Sequence, residues 1–396
     1  MTDRRRFIHL AVGLAAALGG TGVHAQATGQ PFKIGFILPM TGQSASTGKQ
    51  IEAAIKHYVA QNGNTVAGRK VEVIVKDDAG VADTTRRIAQ ELVGNEKVGV
   101  LAGFGLTPLA LATAPIATQS KTPMVVTAAA TSIITEQSPY IVRTSFTLPQ
   151  VAVSIAEWAA KNKIKHVYTL VSDYGPGNDA EGAFKKTFTA AGGTVQESIR
   201  TPLQNPDFGP FIQRVKDAKP DAVFIFVPAG AQSIAVMKAY NERGLAAAGI
   251  KAIATGDVTD DHVLNAMGDD AVGLITTFHY SAAHDSPENK AFLAAYAQVA
   301  PNGGRANFMT VGAYDGMALI YDIVAKSGGK IDADKAMEVA KGWKTTSPRG
   351  PIMIDPETRD IVQTIYLRKV EKKDGQLWNV EFDVIKSVKD PGKNKQ

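Results

Sequence analysis

The chain has 396 residues, 44% hydrophobic and 20% charged, an ordinary globular composition with enough length for two domains. Its net charge of +5 is too mild and scattered to point to nucleic acid. The absence of cysteine excludes disulfides, thiol catalysis, thiolate metal sites and a cysteine-linked lipid anchor.

Residues 1–25 read as a secretory signal peptide. Arg4-Arg5-Arg6 precedes an apolar run, Phe7 to Leu18, that is too short to span a bilayer, and Val23-His24-Ala25 has small-x-small cleavage character. Its removal takes away three Arg and one Asp, lowering the net charge to +3. Arg4-Arg5-Arg6-Phe7-Ile8 fits a twin-arginine export pattern and a general secretion signal alike. No later stretch reads as a membrane span, so the expected location is the periplasm.

From Phe32 onward strands and helices alternate. Phe32 to Pro39 is a strand, followed by a polar loop to Gly48. The next helix spaces Ile51, Ala54, Ile55, Tyr58 and Val59 along one face. Arg69 to Lys76 alternates as a strand, and Val81 to Val93 is helical. Near Thr147 the pattern restarts. Strands are expected at His166 to Val171, Thr194 to Ile199, Asp221 to Val227, Ile250 to Ala254 and Val272 to Phe278, with helices between them. Ser286 to Lys341 reads as largely helical, and Gln363 to Val370 pairs with Gln376 to Val384 as a hairpin around Lys373-Asp374-Gly375. The alternation argues for an α/β fold of two parallel-sheet lobes.

Val98 to Thr131 organises the rest. The strand Val98 to Gly103 leads through Phe104-Gly105-Leu106 to Thr107-Pro108, read as the N-cap and first position of an alanine-rich helix. A second apolar run, Pro123 to Val126, ends in Thr127-Ala128-Ala129-Ala130-Thr131. Two neighbouring parallel strands thus end in small-residue loops on the sheet edge where α/β proteins bind ligands. The helix N-terminus at Thr107 favours a carboxylate there. Catalytic motifs are missing: Pro108 breaks the dinucleotide fingerprint that Gly103-Phe104-Gly105 begins, and the seven His lack metalloprotease spacing. Asp77-Asp78 point to opposite sides of an extended chain and read as structural. Neither an enzymatic activity, a metal nor a cofactor is expected.

The ordered set Ile34 to Gly48, Lys76-Asp77-Asp78, Thr127 to Thr131, Arg143-Thr144, Asp173-Tyr174-Gly175 and Thr255-Gly256-Asp257 resembles the periplasmic Leu/Ile/Val-binding protein family, type I solute-binding proteins of ABC importers. The resemblance spans essentially the whole mature chain. It implies two Rossmann-like lobes joined by three hinge crossings, with 32–147 plus 277–350 in lobe I and 148–276 plus 351–390 in lobe II. It places Thr107 and Thr131 at the ligand carboxylate and the Ala129 carbonyl opposite a ligand donor. Tyr174 becomes an aromatic cover and Asp257 the partner of a ligand ammonium. Phe104 and Leu106 make the carboxylate loop more apolar than the serines usual in the family, and Pro228-Ala229-Gly230 stands where some members present another aromatic, which enlarges the pocket. Thr47 is a further ligand candidate, weaker like Phe278, His279, Tyr280, Phe308 and Tyr314, which read as core or rim.

The implied function is capture of a small carboxylate and its delivery to ABC transporter membrane subunits, by a monomer. Asp257 puts a branched-chain or related amino acid first; the apolar loop leaves a benzoate-like aromatic acid open. A periplasmic sensor subunit is the remaining alternative.

Overall fold

The computed structural model describes residues 30–300, 304–328 and 332–393, so the signal-peptide segment lies outside the described residues. The first series runs β1 (Phe32–Leu38), α1 (Ala45–Asn62), β2 (Thr65–Val66), β3 (Arg69–Asp77), α2 (Ala82–Gly94), β4 (Val100–Gly103), α3 (Thr107–Ser120), β5 (Met124–Val126) and β6 (Ile141–Arg143). These strands form one sheet in the order β2-β3-β1-β4-β5-β6, parallel except for the short β2. Helices cover it, so β1 and β4 are buried almost throughout and read as continuous apolar runs.

The second series follows as α4 (Leu148–Lys161), β7 (His166–Ser172), α5 (Gly175–Ala190), β8 (Thr194–Thr201), α6 (Gly209–Ala218), β9 (Ala222–Phe226), α7 (Ala231–Glu242), β10 (Lys251–Thr255) and β11 (Ile275–Phe278). Then come α8 (Pro287–Tyr296), α9 (Phe308–Lys326), α10 (Ala333–Ala340), β12 (Lys344–Ser347), β13 (Gly350–Ile354), β14 (Ile361–Lys373) and β15 (Gln376–Val388). The second sheet is ordered β8-β7-β9-β10-β11-β14-β13-β12, with β15 paired to β14 as the expected hairpin. The chain therefore passes between the sheets three times: after β6, after β11, and again between α10 and β12.

Two local differences from the sequence reading have clear causes. The helix expected after the strand Asp221 to Val227 begins only at Ala231, because Gly230 takes φ 101°, outside helical space. Helix α9, by contrast, is long and apolar enough to pass as a membrane span, against the expectation that no later stretch would. Its residues are buried nearly all round, and it packs on α1, β4 and β5 as a core helix. Gly312 permits that approach: a Cβ there would lie 2.5 Å from the Thr127 carbonyl oxygen.

Buried arginines fasten the crossings. Arg349 pairs with Asp315 at 2.7 Å and donates to the Ser145 carbonyl and to Gln363. Arg143, fully buried, pairs with Asp360 at 2.7 Å and donates to the carbonyls of Ala129, Thr131 and Phe146. Buried charges stay ionised only with such complete partnering.

Candidate functional site

Strands β4 and β5 run parallel with Gly103 opposite Val126, so the loops that follow leave the sheet side by side. Main-chain bonds then lace them together: Thr127 N donates to Gly103 O and Ala129 N to Phe104 O, each at 3.0 Å. Thr107 and Thr131 meet through their hydroxyls at 2.8 Å, both nearly buried. Each hydroxyl carries one proton and their mutual bond uses one, so the other remains for a further acceptor.

A cavity of about 450 Å³, counted to its open mouth, lies between these loops and the second sheet. From the first lobe it is walled by Ser44, Thr47, Leu106, Thr107 and Ala128 to Ala130, and from the second by Tyr174, Pro176, Phe226, Pro228, Ala229 and Asp257. Phe146 and Leu148 flank the first crossing, and Phe308 and Met309 open α9, completing the wall. Tyr174 lies nearly parallel to Phe226, ring centroids 6.1 Å apart and planes at 17°. Phe146 and Phe308 meet edge to face at 5.7 Å.

Among the described residues, Asp257 is the only Asp, Glu, Lys, Arg or His in the cavity wall. It is 5% exposed and accepts a bond from Thr255 Oγ1 at 2.9 Å. Burial pushes its carboxyl up to about 7; the Thr255 bond opposes that rise and the neighbouring Asp260 adds to it. Asp260, also buried, is likewise pushed up to about 7. Burial, helped by the Asp257 charge, raises the Tyr174 hydroxyl well above its ordinary range, which keeps it a neutral O–H donor.

Of the residues singled out from sequence, Thr47, Leu106, Thr107, Ala129, Tyr174 and Asp257 line this cavity, and Thr131 reaches it through Thr107. Phe104 does not. Its backbone turns with φ 69°, its N–H bonds Ile37 O, and its ring is wholly buried in the core on the α2–α3 side of the sheet. The Ala129 carbonyl is already occupied by Arg143 Nη1 at 3.1 Å and Ser145 Oγ at 3.4 Å, so it is not the free acceptor that the family resemblance implies.

Thr107 is not the N-cap. Leu106 holds that position in extended backbone and its carbonyl accepts from Leu109 and Ala110, which makes Thr107 the first helical residue and frees its hydroxyl for Thr131. Phe308 lines the cavity, whereas Phe278, His279, Tyr280 and Tyr314 lie outside its wall. Asp77 accepts from the Met40 and Thr41 amides and the Thr41 hydroxyl and so holds the β1–α1 loop that leads to Ser44, whereas Asp78 accepts from Gly80 N and Thr85 Oγ1 and ties the turn into α2. Sequence reasoning missed Ser44, Phe146, Leu148 and Phe226; the last was discoverable as the end of a buried parallel strand on the ligand edge.

A model of the periplasmic binding protein family matches residues 31–376, and the chain belongs to that family. It is 48% identical over 363 residues, 91% of its length, to the Leu/Ile/Val-binding protein homolog 6 of Brucella melitensis, 93% of which is covered. A solute-binding protein of an ABC transporter from Rhodopseudomonas palustris BisB5, solved with 3,4-dihydroxybenzoic acid, is 61% identical, with a TM-score of 0.90 over 92% of this chain and 99% of that one. Another Rhodopseudomonas palustris solute-binding protein, solved with 4-hydroxybenzoate, is 48% identical, with a TM-score of 0.90 over 93% of this chain and 100% of that one.

Proposed function

We propose that this chain is the solute-binding protein of an ABC importer whose cargo is an aromatic carboxylic acid of the hydroxybenzoate class. The carrying observation is the cavity wall: four aromatic rings, Phe146, Tyr174, Phe226 and Phe308, between a hydroxyl pair and one buried acid. A planar ring buries both faces against such walls. Its carboxylate meets Thr107 and the start of α3, where hydroxyl and helix dipole favour an anion without a buried cation. A ring hydroxyl at the other end exchanges hydrogen bonds with Asp257 and Tyr174. The two similar proteins solved with hydroxylated benzoates support the same reading.

Function then consists of binding and closure, with 32–147 plus 277–350 moving against 148–276 plus 351–390 about the three crossings and no bond made or broken in the cargo. The chain acts as a periplasmic monomer, exported by residues 1–25 through either the general or the twin-arginine route and held by no lipid. Its partners are transporter membrane subunits; capture of a sensor kinase instead would favour the receptor alternative.

Titration calorimetry with benzoate, 4-hydroxybenzoate, 3,4-dihydroxybenzoate and leucine tests the cargo. The aromatic acids release heat and leucine none. The competing amino-acid reading rests on Asp257, the one acidic side chain among the described residues of the wall. Leucine binding more tightly than all three aromatic acids, and lost in Asp257→Ala, would establish it instead.

A further inference from the structure

The ligand cavity is not closed on all sides. A second cavity, about 780 Å³ to its open mouth, adjoins it and shares Ser44, Leu106, Pro228 and Ala229 as wall. Neither Thr107, Thr131, Tyr174 nor Asp257 belongs to that shared wall. The two cavities thus border one another along these four residues, and Leu106 sets the border beside the Thr107 end of the ligand cavity. Pro228 and Ala229, which follow β9, put no bulky side chain at that border.

The lining of this annex has its own chemistry. Gln43, Ser44, Gln204, Asn205 and Gln232 supply amides and a hydroxyl over a floor that includes Leu203 and Phe208, and no charged side chain lines it among the described residues. Gln43 of the first lobe bonds Asn205 of the second across the mouth, and Gln232 Nε2 is fixed on the Leu203 carbonyl at 2.7 Å. Amides donate and accept, so they satisfy neutral oxygens, whereas an ionised group there would lose hydration without gaining a counter-charge.

We infer that the annex is a second subsite, which admits aromatic acids carrying an uncharged, oxygen-bearing ring substituent beside the carboxylate–hydroxyl axis and rejects those carrying a second negative charge there. This rests on the aromatic-acid reading above. It adds that the protein recognises a range of substituted acids through groups separate from those that hold the ring.

Calorimetry on the full chain with 4-hydroxybenzoate, 4-hydroxy-3-methoxybenzoate and 4-hydroxybenzene-1,3-dicarboxylate tests it, in wild type and in Ala235→Trp. Ala235 lines only the annex. The methoxy acid binds wild type within fivefold of the parent, and the dicarboxylate at least tenfold more weakly. In Ala235→Trp the methoxy acid loses at least tenfold and the parent less than twofold. Should that variant melt early, Ala231→Leu fills the same space and serves in its place. A methoxy acid fiftyfold weaker than a parent that binds well, or a filled annex that affects both acids equally or neither, overturns the subsite and leaves the aromatic-acid reading standing. If neither the parent nor the methoxy acid binds, both readings fall together.

Discussion

The two lobes meet the ligand cavity with different kinds of surface. On the first, the loops after β4 and β5 are tied to each other by main-chain bonds, backed by Arg143 and pressed on by α9 through Gly312, so their shape is fixed before any ligand arrives. On the second, the wall consists of side chains at element ends: Phe226 closing its strand, Tyr174 ahead of its helix, and Asp257 with its carboxyl pushed up to about 7 by burial. Rigidity on one side and tunable chemistry on the other divide the work. On the reading proposed above, the first surface grips an anion in a set geometry, and the second decides what else the ligand must carry. A preformed half lowers the ordering cost of binding.

Breaking the fixed side costs most. Arg143→Met removes the nearest cation from buried Asp360, which keeps Thr135 Oγ1 at 3.0 Å and Lys393 Nζ at 3.5 Å, so the cost lies towards the low end of about 3–5 kcal/mol. It also frees the carbonyls of Ala129, Thr131 and Phe146. Urea unfolding is expected to show a clearly lower midpoint, and ligand binding to fail even where the protein remains folded.

Closure comes next. A Cβ on Gly175, at the start of α5, would stand 2.7 Å from Thr131 Oγ1 and 3.4 Å from Thr107 Cγ2. Gly175→Val therefore wedges the lobes apart at the point where they meet over the hydroxyl pair. Affinity is expected to fall at least tenfold, about 1.4 kcal/mol, with the melting temperature of the ligand-free protein little changed. An unaltered dissociation constant would show that the lobes need not approach so closely.

The tunable side is tested by pH. The Asp257 and Asp260 carboxyls are raised in the folded chain, so between about pH 4 and pH 7 the folded state holds more protons than the unfolded one. Their contribution to stability is therefore greatest at low pH, is lost as pH rises towards 7, and is constant above. Asp257→Asn copies the protonated form at every pH. Its melting temperature minus that of wild type should grow from pH 4.5 to pH 7.5, and a flat difference would remove the assignment.

The same contrast explains what the sequence revealed. Alternating apolar runs and helical stripes made both α/β series readable, because buried parallel strands need little but apolar length. That Thr107 and Thr131 lie side by side was legible because they follow adjacent parallel strands, a place defined by topology. Phe104 misled: its φ of 69° sends the ring into the core, and nothing in the residue type signals that turn. The Ala129 carbonyl misled for a longer-range reason, since its partner Arg143 is itself fixed by Asp360, 217 residues further along. Phe146 and Phe226 were passed over as ordinary strand and crossing residues, because which side of a strand end faces the cleft depends on how two sheets are set against each other.

The smallest expected effect separates the hydroxyl pair from the scaffold behind it. Thr131→Val keeps the shape and removes the 2.8 Å bond to Thr107. The Thr131 carbonyl, which holds Arg143 Nη2 at 2.7 Å, is untouched, so the loop stays tied. What changes is the orientation of the Thr107 proton, worth about 1 kcal/mol or roughly fivefold in affinity. If the pair serves the ligand, that loss appears in titrations with 4-hydroxybenzoate, while the unfolding midpoint of the ligand-free protein moves far less than in Arg143→Met. Equal losses in both measurements would make the pair a structural bond of the first lobe, and would leave the amides at the start of α3 to hold the carboxylate alone.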